Sequence, residues 1–343
     1  MKYFSNKVID KKALLKNYNI LKTVSGKNIC AVLKANAYGH NAKTVCKILN
    51  GACDFFAVEN LYEAIELRTV NKSAKILVLG YCIDYQLASK YNISVTVDNI
   101  YQLQKISRLN INLSVHIKIN TGMNRLGLKS IKHFIKMLKF IKNSLKIELE
   151  GVFTHIFDAK SKKTTKYQIS LFEKYLECLP DNLCPIIHIG GSKLIDYKLD
   201  FVDYIRCGIS LYGYCQKLVI PCMKIKSKIV KISTVNNGEF IGYDRYFKAT
   251  KKLKIAIVPL GYADGIVRQF QDDMFVLYKG KKLKVVGKIC MDMFMVDVSN
   301  VNIKIGDFVT VFDNAEYWSK KSGITEYEIL TGLNKARANI IVV

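Results

Sequence analysis

Apolar residues along the chain fall into two regimes. In the first, short β-rich runs recur at NICAVL (28–33), DFFAV (54–58), KILVLG (75–80), ISVTV (93–97), LSVHIKI (113–119), IELEGVF (147–153), PIIHI (185–189) and VDYIRC (202–207). Between most of them apolar residues return every three or four positions, as in NLYEAIELRTV (60–70) and SIKHFIKMLKFIKNSL (130–145), the spacing of amphipathic helices. Eight strand-like runs alternating with helices predict an α/β fold, a (β/α)8 barrel of the TIM type, over residues 1–222. The second regime, 223–343, reads KIVKIS, LKIAIVPLG, FVLYKGKKLKVVGK, MFMVDVS and DFVTVF with one helix near 325–336, and predicts a β-rich C-terminal domain. KGKK (279–282) marks a hairpin turn, and no Pro-, Gly- or Ser-rich linker separates the halves.

Composition narrows the class. Half of the 343 residues are hydrophobic and the chain holds 20 Tyr and 16 Phe, enough apolar surface for a sizeable core, which excludes disorder and a disulfide scaffold. The formal charge of +25 raises the question of a polyanionic partner. Only seven of the 53 basic residues are Arg, and the Lys are spread along the chain with clusters at 162–166, 248–254 and 279–284. Such clusters read as solvated faces, so neither a nucleic-acid nor a membrane partner is expected. The N-terminal MKYFSNKVIDKKALLKNY has no signal-like apolar stretch, and no run approaches a membrane span. A cytoplasmic setting is expected. The ten Cys fit it: none forms a CxxC pair, and Cys30, Cys53 and Cys290 sit in apolar contexts, so neither a metal site nor a redox dithiol is predicted.

In a (β/α)8 barrel chemistry gathers at the C-terminal ends of the strands. There the chain offers Lys34 after the first barrel run, Arg125 in NTGMNRLG after the fifth, His155 in THIFDAK after the sixth, IGGSK after the seventh and RCGISLYG after the eighth. Taken alone, Lys34 reads as a surface charge and His155 as a satisfied strand-end histidine. Company changes the reading of Lys34: Gly190, Gly191 and Ser192, then Gly208 and Ile209, offer backbone N–H groups and a hydroxyl for a phosphate. A lysine facing such a nest points to a Schiff base with pyridoxal 5′-phosphate (PLP).

With AVLKANAYGHN, DYIRCGISLYG, HIKINTGMNRLG, IGYDRYF, VPLGYADGIVR and GKICMDMFMVDVS in view, the chain resembles the alanine racemase family of fold-type III PLP enzymes over nearly its whole length. The resemblance implies that Lys34 carries the cofactor and that Tyr38, Ser192, Gly208, Ile209 and Tyr327 hold its phosphate. It also implies that Arg206 faces the pyridine nitrogen and that His155 packs on the ring. A guanidinium keeps its proton, so the ring nitrogen stays unprotonated and the electron sink weak, favouring return of a proton to Cα. By the same resemblance Arg125 orients the catalytic tyrosine and, with Met291, lies near the substrate carboxylate, while Tyr262 and Asp292 line the entrance. Lys118 matches a position that many members carbamylate. Lys34 and Tyr243 would be the two bases, Tyr243 reaching the site of the other subunit of a homodimer, and the product would be D-alanine for a peptidoglycan wall.

Three departures stand out. Gly191 replaces the usual Asn, Asn120 the usual Asp, and the chain closes on NKARANIIVV without the usual ending. They leave open racemases of the same kind for serine, lysine or ornithine. A PLP-handling barrel without turnover, a decarboxylase of related fold and a nucleic-acid binder are the remaining alternatives. Tyr243 and GYADG argue against the PLP-handling barrel.

Overall fold

The structure is a computed structural model describing residues 2–197 and 199–343. It divides into two compact units: one comprises the N-terminal residues through Leu14, Tyr38–Asn41 and Ile220–Val343, the other Leu15–Ala37 and Ala42–Val219. The expectation of a barrel beginning at residue 1 therefore needs correction. The first strand, β1 (Ser5–Ile9), pairs antiparallel with Met223–Lys228 and parallel with Ala338–Val342 in the β-rich unit. Its polar residues, Ser5, Asn6 and Lys7, conceal a burial pattern that alternates strictly, and the apolar-run criterion passes over such a strand.

The barrel closes through eight parallel strands: β2 (Asn28–Val32), β3 (Phe55–Val58), β4 (Lys75–Val78), β5 (Ser94–Val97), β6 (Leu113–Lys118), β7 (Ile147–His155), β8 (Ile186–Gly190) and β9 (Tyr204–Cys207). Each corresponds to one of the eight apolar runs. Their near-continuous apolar character follows from burial on both faces, as in β3 and β5, where every residue is buried. Helices return between strands, and a polar cap opens five of them: the side chains of Asn60, Asp84, Asn99, Ser130 and Ser161 accept the N–H three residues on. Losing one such cap costs about 1 kcal/mol.

The β-rich unit is a nine-stranded sheet in the order Lys231–Val235, Leu253–Val258, Phe294–Asp297, Lys281–Val286, Phe275–Tyr278, Phe308–Phe312, Met223–Lys228, β1, Ala338–Val342. A small hairpin pairs Phe240–Ile241 with Phe247–Lys248. The expected turn joins Phe275–Tyr278 to Lys281–Val286, with Lys279 at φ 47° and Gly280 at φ 79°, the positive pair that a two-residue hairpin requires. The helix near 325–336 is Glu326–Gly332 followed by a short turn, and a second helix, Ala315–Ser322, was not apparent in the pattern. Among the described residues no helix is long and apolar enough to cross a membrane. All ten Cys are free; Cys30 and Cys53 are buried as expected, whereas Cys290 is half-buried.

Candidate active site

Lys34 follows β2 after one residue, Leu33. Its ammonium pairs with Glu59 Oε2 at 3.1 Å, and Glu59 follows the neighbouring β3. Glu59 is in turn fixed through its N–H, which donates to Glu63 Oε2. Beyond Lys34 the backbone turns left-handed: Ala35, Asn36, Ala37 and Tyr38 all have φ between 50° and 56°. Tyr38 is therefore reached through a left-handed turn, not one further turn of ordinary helix. Such a conformation costs an L-residue roughly 1–2 kcal/mol, so the segment is held by its surroundings. Asn36 Oδ1 accepts the Ala42 N–H at 2.7 Å, and in the β-rich unit Lys7 Nζ donates to Gly39 O at 2.7 Å and Leu333 O at 3.1 Å.

Three further candidates gather at the C-terminal ends of the middle and last strands. Arg206, on β9, is buried; Nη1 donates to His188 Nδ1 at 2.9 Å and Nη2 to Thr154 O at 2.7 Å, with the guanidinium 4.7 Å from the Phe153 ring centre. Burial lowers it to about 10, still protonated at neutral pH. Lys118 ends β6, is buried, and has no carboxylate in ion-pair distance among the described residues; burial first, then Arg125 and Arg206, lowers its ammonium to about 8. His155 ends β7. Burial, then the charges of Arg206, Arg125, Lys118 and Lys34, push its imidazole down to about 3, so it is neutral over the physiological range. Arg125 itself lies exposed in the loop after β6.

Glycine decides the packing here. A Cβ on Gly190 would overlap both Arg206 Nη2 and His155 Nδ1. Gly191 adopts φ 135° and ψ 118°, a backbone that side-chain-bearing residues rarely take, which accounts physically for glycine rather than asparagine at this place. Ser192 is buried, and its hydroxyl receives the Ser210 N–H at 3.4 Å. Ser210 Oγ, on the Gly208–Ile209 loop, is buried with no hydrogen-bond partner among the described residues. A glycine-relieved turn, two buried hydroxyls and a fixed cation nearby suit a phosphorylated, ring-bearing cofactor.

The β-rich unit carries its own cluster. Tyr262 and Ala263 donate backbone N–H groups to Cys290 O and Met291 O at 3.1 and 3.0 Å, made possible by Gly261, where a Cβ would strike those carbonyls. Tyr262, Met291 and Asp292 thus lie together, all partly exposed. Asp292 pairs with Arg337 at 2.9 Å, and Arg337 also grips the buried Asp264 through Nε at 2.7 Å and Nη2 at 2.6 Å. Tyr327 stands 6.1 Å, ring to ring, from Tyr38. Tyr243 is 64% exposed at the hairpin tip; its carbonyl accepts the Tyr246 N–H at 3.2 Å, and next to it Asp244 pairs with Lys288 at 2.6 Å. Sequence reasoning passed over Glu59, Phe153, Lys7 and the Arg337–Asp264 pair. For Lys7 the available signal was a lone charge in a short strand-like segment.

Comparison with known proteins agrees with this geometry. The alanine racemase N-terminal domain matches residues 9–216 and the alanine racemase C-terminal domain residues 222–341. This chain belongs to the alanine racemase family. An alanine racemase of Methanococcus maripaludis is 35% identical over 94% of both chains. The solved alanine racemase of Clostridium difficile superposes with a TM-score of 0.92 at 33% identity, covering 100% of this chain and 96% of its own. A Bartonella henselae alanine racemase solved with covalently bound pyridoxal phosphate gives 0.85 at 26% identity, covering 99% of each chain. The family assignment makes the chain an isomerase with a barrel and a β-rich domain, and the nucleic-acid and decarboxylase readings lose their support.

Proposed function

We propose that this chain interconverts L-alanine and D-alanine with pyridoxal 5′-phosphate as cofactor, working as a homodimer whose two bases are Lys34 and Tyr243 of the partner subunit. The observation that carries the reading is Lys34 at the end of β2 beside a barrel mouth holding buried Arg206 and neutral His155. When bound, PLP acidifies the Cα–H of an amino acid joined to it. Arg206 is the residue suited to face the ring nitrogen, because a group lowered only to about 10 retains its proton and leaves that nitrogen bare. His155, neutral, would lie against the ring without adding a positive charge there.

For the phosphate we assign Tyr38, Ser192, Gly208, Ile209 and Tyr327; for the substrate carboxylate, Arg125 and the Met291 N–H, with Tyr262 and Asp292 at the entrance. Two bases on opposite faces are what inversion at Cα needs: one accepts the proton while the other donates. Tyr243, exposed at the tip of a hairpin, is available to a second subunit. Lys118 suits carbamylation, since a buried amine lowered to about 8 is readily neutral, can add to carbon dioxide with loss of a proton, and would then turn an unpaired cation into an anion beside Arg125.

The test is chiral analysis of purified, PLP-loaded enzyme given L-alanine, then L-serine, L-lysine and L-ornithine. D-alanine should form fastest, and Lys34→Ala should abolish it. Absence of D-alanine from loaded wild-type enzyme, or faster turnover of another substrate, contradicts the assignment.

A further inference from the structure

A line of hydrogen bonds crosses the barrel interior behind Arg206. Arg206 Nη1 donates to His188 Nδ1 at 2.9 Å; His188 Nε2 meets His116 Nδ1 at 2.8 Å; His116 Nε2 meets Glu150 Oε2 at 2.9 Å. Four strands contribute one member each: β9, β8, β6 and β7. Glu150 is clasped at the strand-start end by Lys75 Nζ at 2.5 Å and by the Ser94 hydroxyl. Both histidines are completely buried. Phe153 stacks on His188 with centroids 4.7 Å apart, and the Phe55 edge meets the same ring.

The backbone is shaped for this line. The β6–β7 register shifts so that Val115 pairs Leu149 and His116 pairs Gly151, leaving Glu150 as the extra, bulged residue. Bulges re-aim a side chain. At the next position a Cβ on Gly151 would collide with the His116 ring, so bulge and glycine together admit the carboxylate and imidazole side by side.

Only one arrangement of protons satisfies every bond. A guanidinium can donate but never accept, so His188 Nδ1 must be bare and its proton must sit on Nε2. That proton points at His116 Nδ1, which must also be bare, so His116 carries its proton on Nε2 and needs an acceptor there. Glu150, held well below the usual carboxylate range, is that acceptor. An imidazolium at either position would set two donors against each other, and burial disfavours that state at both.

We propose that Glu150 is a positioning residue for Arg206: through His116 and His188 it holds both imidazoles as Nε2–H tautomers, keeping His188 Nδ1 free to fix the guanidinium. That Arg206 serves PLP rests on the function proposed above, but the tautomers do not. Without an acceptor at the far end, His116 gains by moving its proton to Nδ1, which reverses the line and brings two N–H groups together at Arg206.

Long-range ¹H–¹⁵N correlation on ¹⁵N-labelled apoprotein at neutral pH reads the tautomers directly, and with five His in the chain the signals are few. Both His116 and His188 should be Nε2–H. Glu150→Gln, which keeps a carbonyl acceptor, should retain that pattern and PLP affinity. Glu150→Leu should bring Nδ1–H character to His188 and weaken PLP binding about tenfold, the low end of what outer-shell partners confer. An Nδ1–H or doubly protonated His188 in wild type overturns the proposal whatever the variants do. So does folded Glu150→Leu protein with either the tautomers or PLP affinity unchanged. If wild type shows the expected tautomers yet binds no PLP, the proposed function fails while the relay stands.

Discussion

At the scale of single residues, the barrel mouth is governed by how closely two cationic or aromatic groups can approach. Gly190 is the clearest case, because Arg206 Nη2 and His155 Nδ1 already occupy the volume its Cβ would need. Gly190→Ala should displace one of them. PLP affinity, measured by fluorescence titration of apoprotein, is expected to fall at least about tenfold, corresponding to the roughly 1.4 kcal/mol that a displaced charge-assisted contact is worth. Unchanged affinity would mean that neither group touches the cofactor. Lys34 was legible in sequence because a strand-end charge shares its barrel end with the glycine-rich segments around 190–192 and 208–209, and Arg206 through the family resemblance of DYIRCGISLYG. His116 and His188 lie in equally apolar runs, but their significance depends on Glu150, which reaches them only through a register shift that no periodicity records. Glu59 was hidden for a simpler reason: in ENLYEAIE it reads as the polar face of a helix, and only the closeness of neighbouring strand ends brings it to Lys34.

Among the elements, the left-handed turn from Ala35 to Tyr38 needs external support, and Lys7 supplies part of it from β1 by bonding Gly39 O and Leu333 O. Lys7 is 3% exposed and burial lowers its ammonium to about 8. The sign of the resulting pH dependence follows from linkage. Between about 8 and the ordinary value of 10.5 the unfolded chain binds a proton that the folded chain does not, so stability rises with pH through that window. The contribution is full above 10.5 and lost as pH falls through about 8, the reverse of a salt-bridged lysine. Denaturant melts of wild type and Lys7→Met at pH 7, 9 and 10.5 should therefore show wild type gaining on the variant as pH rises; a constant difference would mean that Lys7 titrates normally. The eight barrel strands were legible because burial on both faces leaves unbroken apolar runs. β1 was not, because its first three residues, Ser5, Asn6 and Lys7, are polar although Ser5 and Lys7 are buried.

For the whole molecule, the +25 charge comes from lysines spread along the chain, those at 162–166, 248–254 and 279–284 being exposed, whereas Arg68 and Arg206 are buried and satisfied by carbonyls or imidazole. Those exposed lysines belong to the solvent face, while Arg68 and Arg206 are fixed inside the barrel unit. The two units each hold one of the proposed bases, Lys34 in one and Tyr243 in the other, and in the proposed homodimer a working site joins Lys34 of one subunit to Tyr243 of the partner subunit. Subunit complementation tests this most directly. Lys34→Ala and Tyr243→Phe homodimers should each be inactive. After subunit exchange at equal concentrations, half of the dimers are hybrids with one intact site of two, so activity should return to about a quarter of wild type in a symmetric dimer. If hybrid dimers form, as native mass spectrometry would show, and no D-alanine appears from L-alanine, the shared two-base site is contradicted.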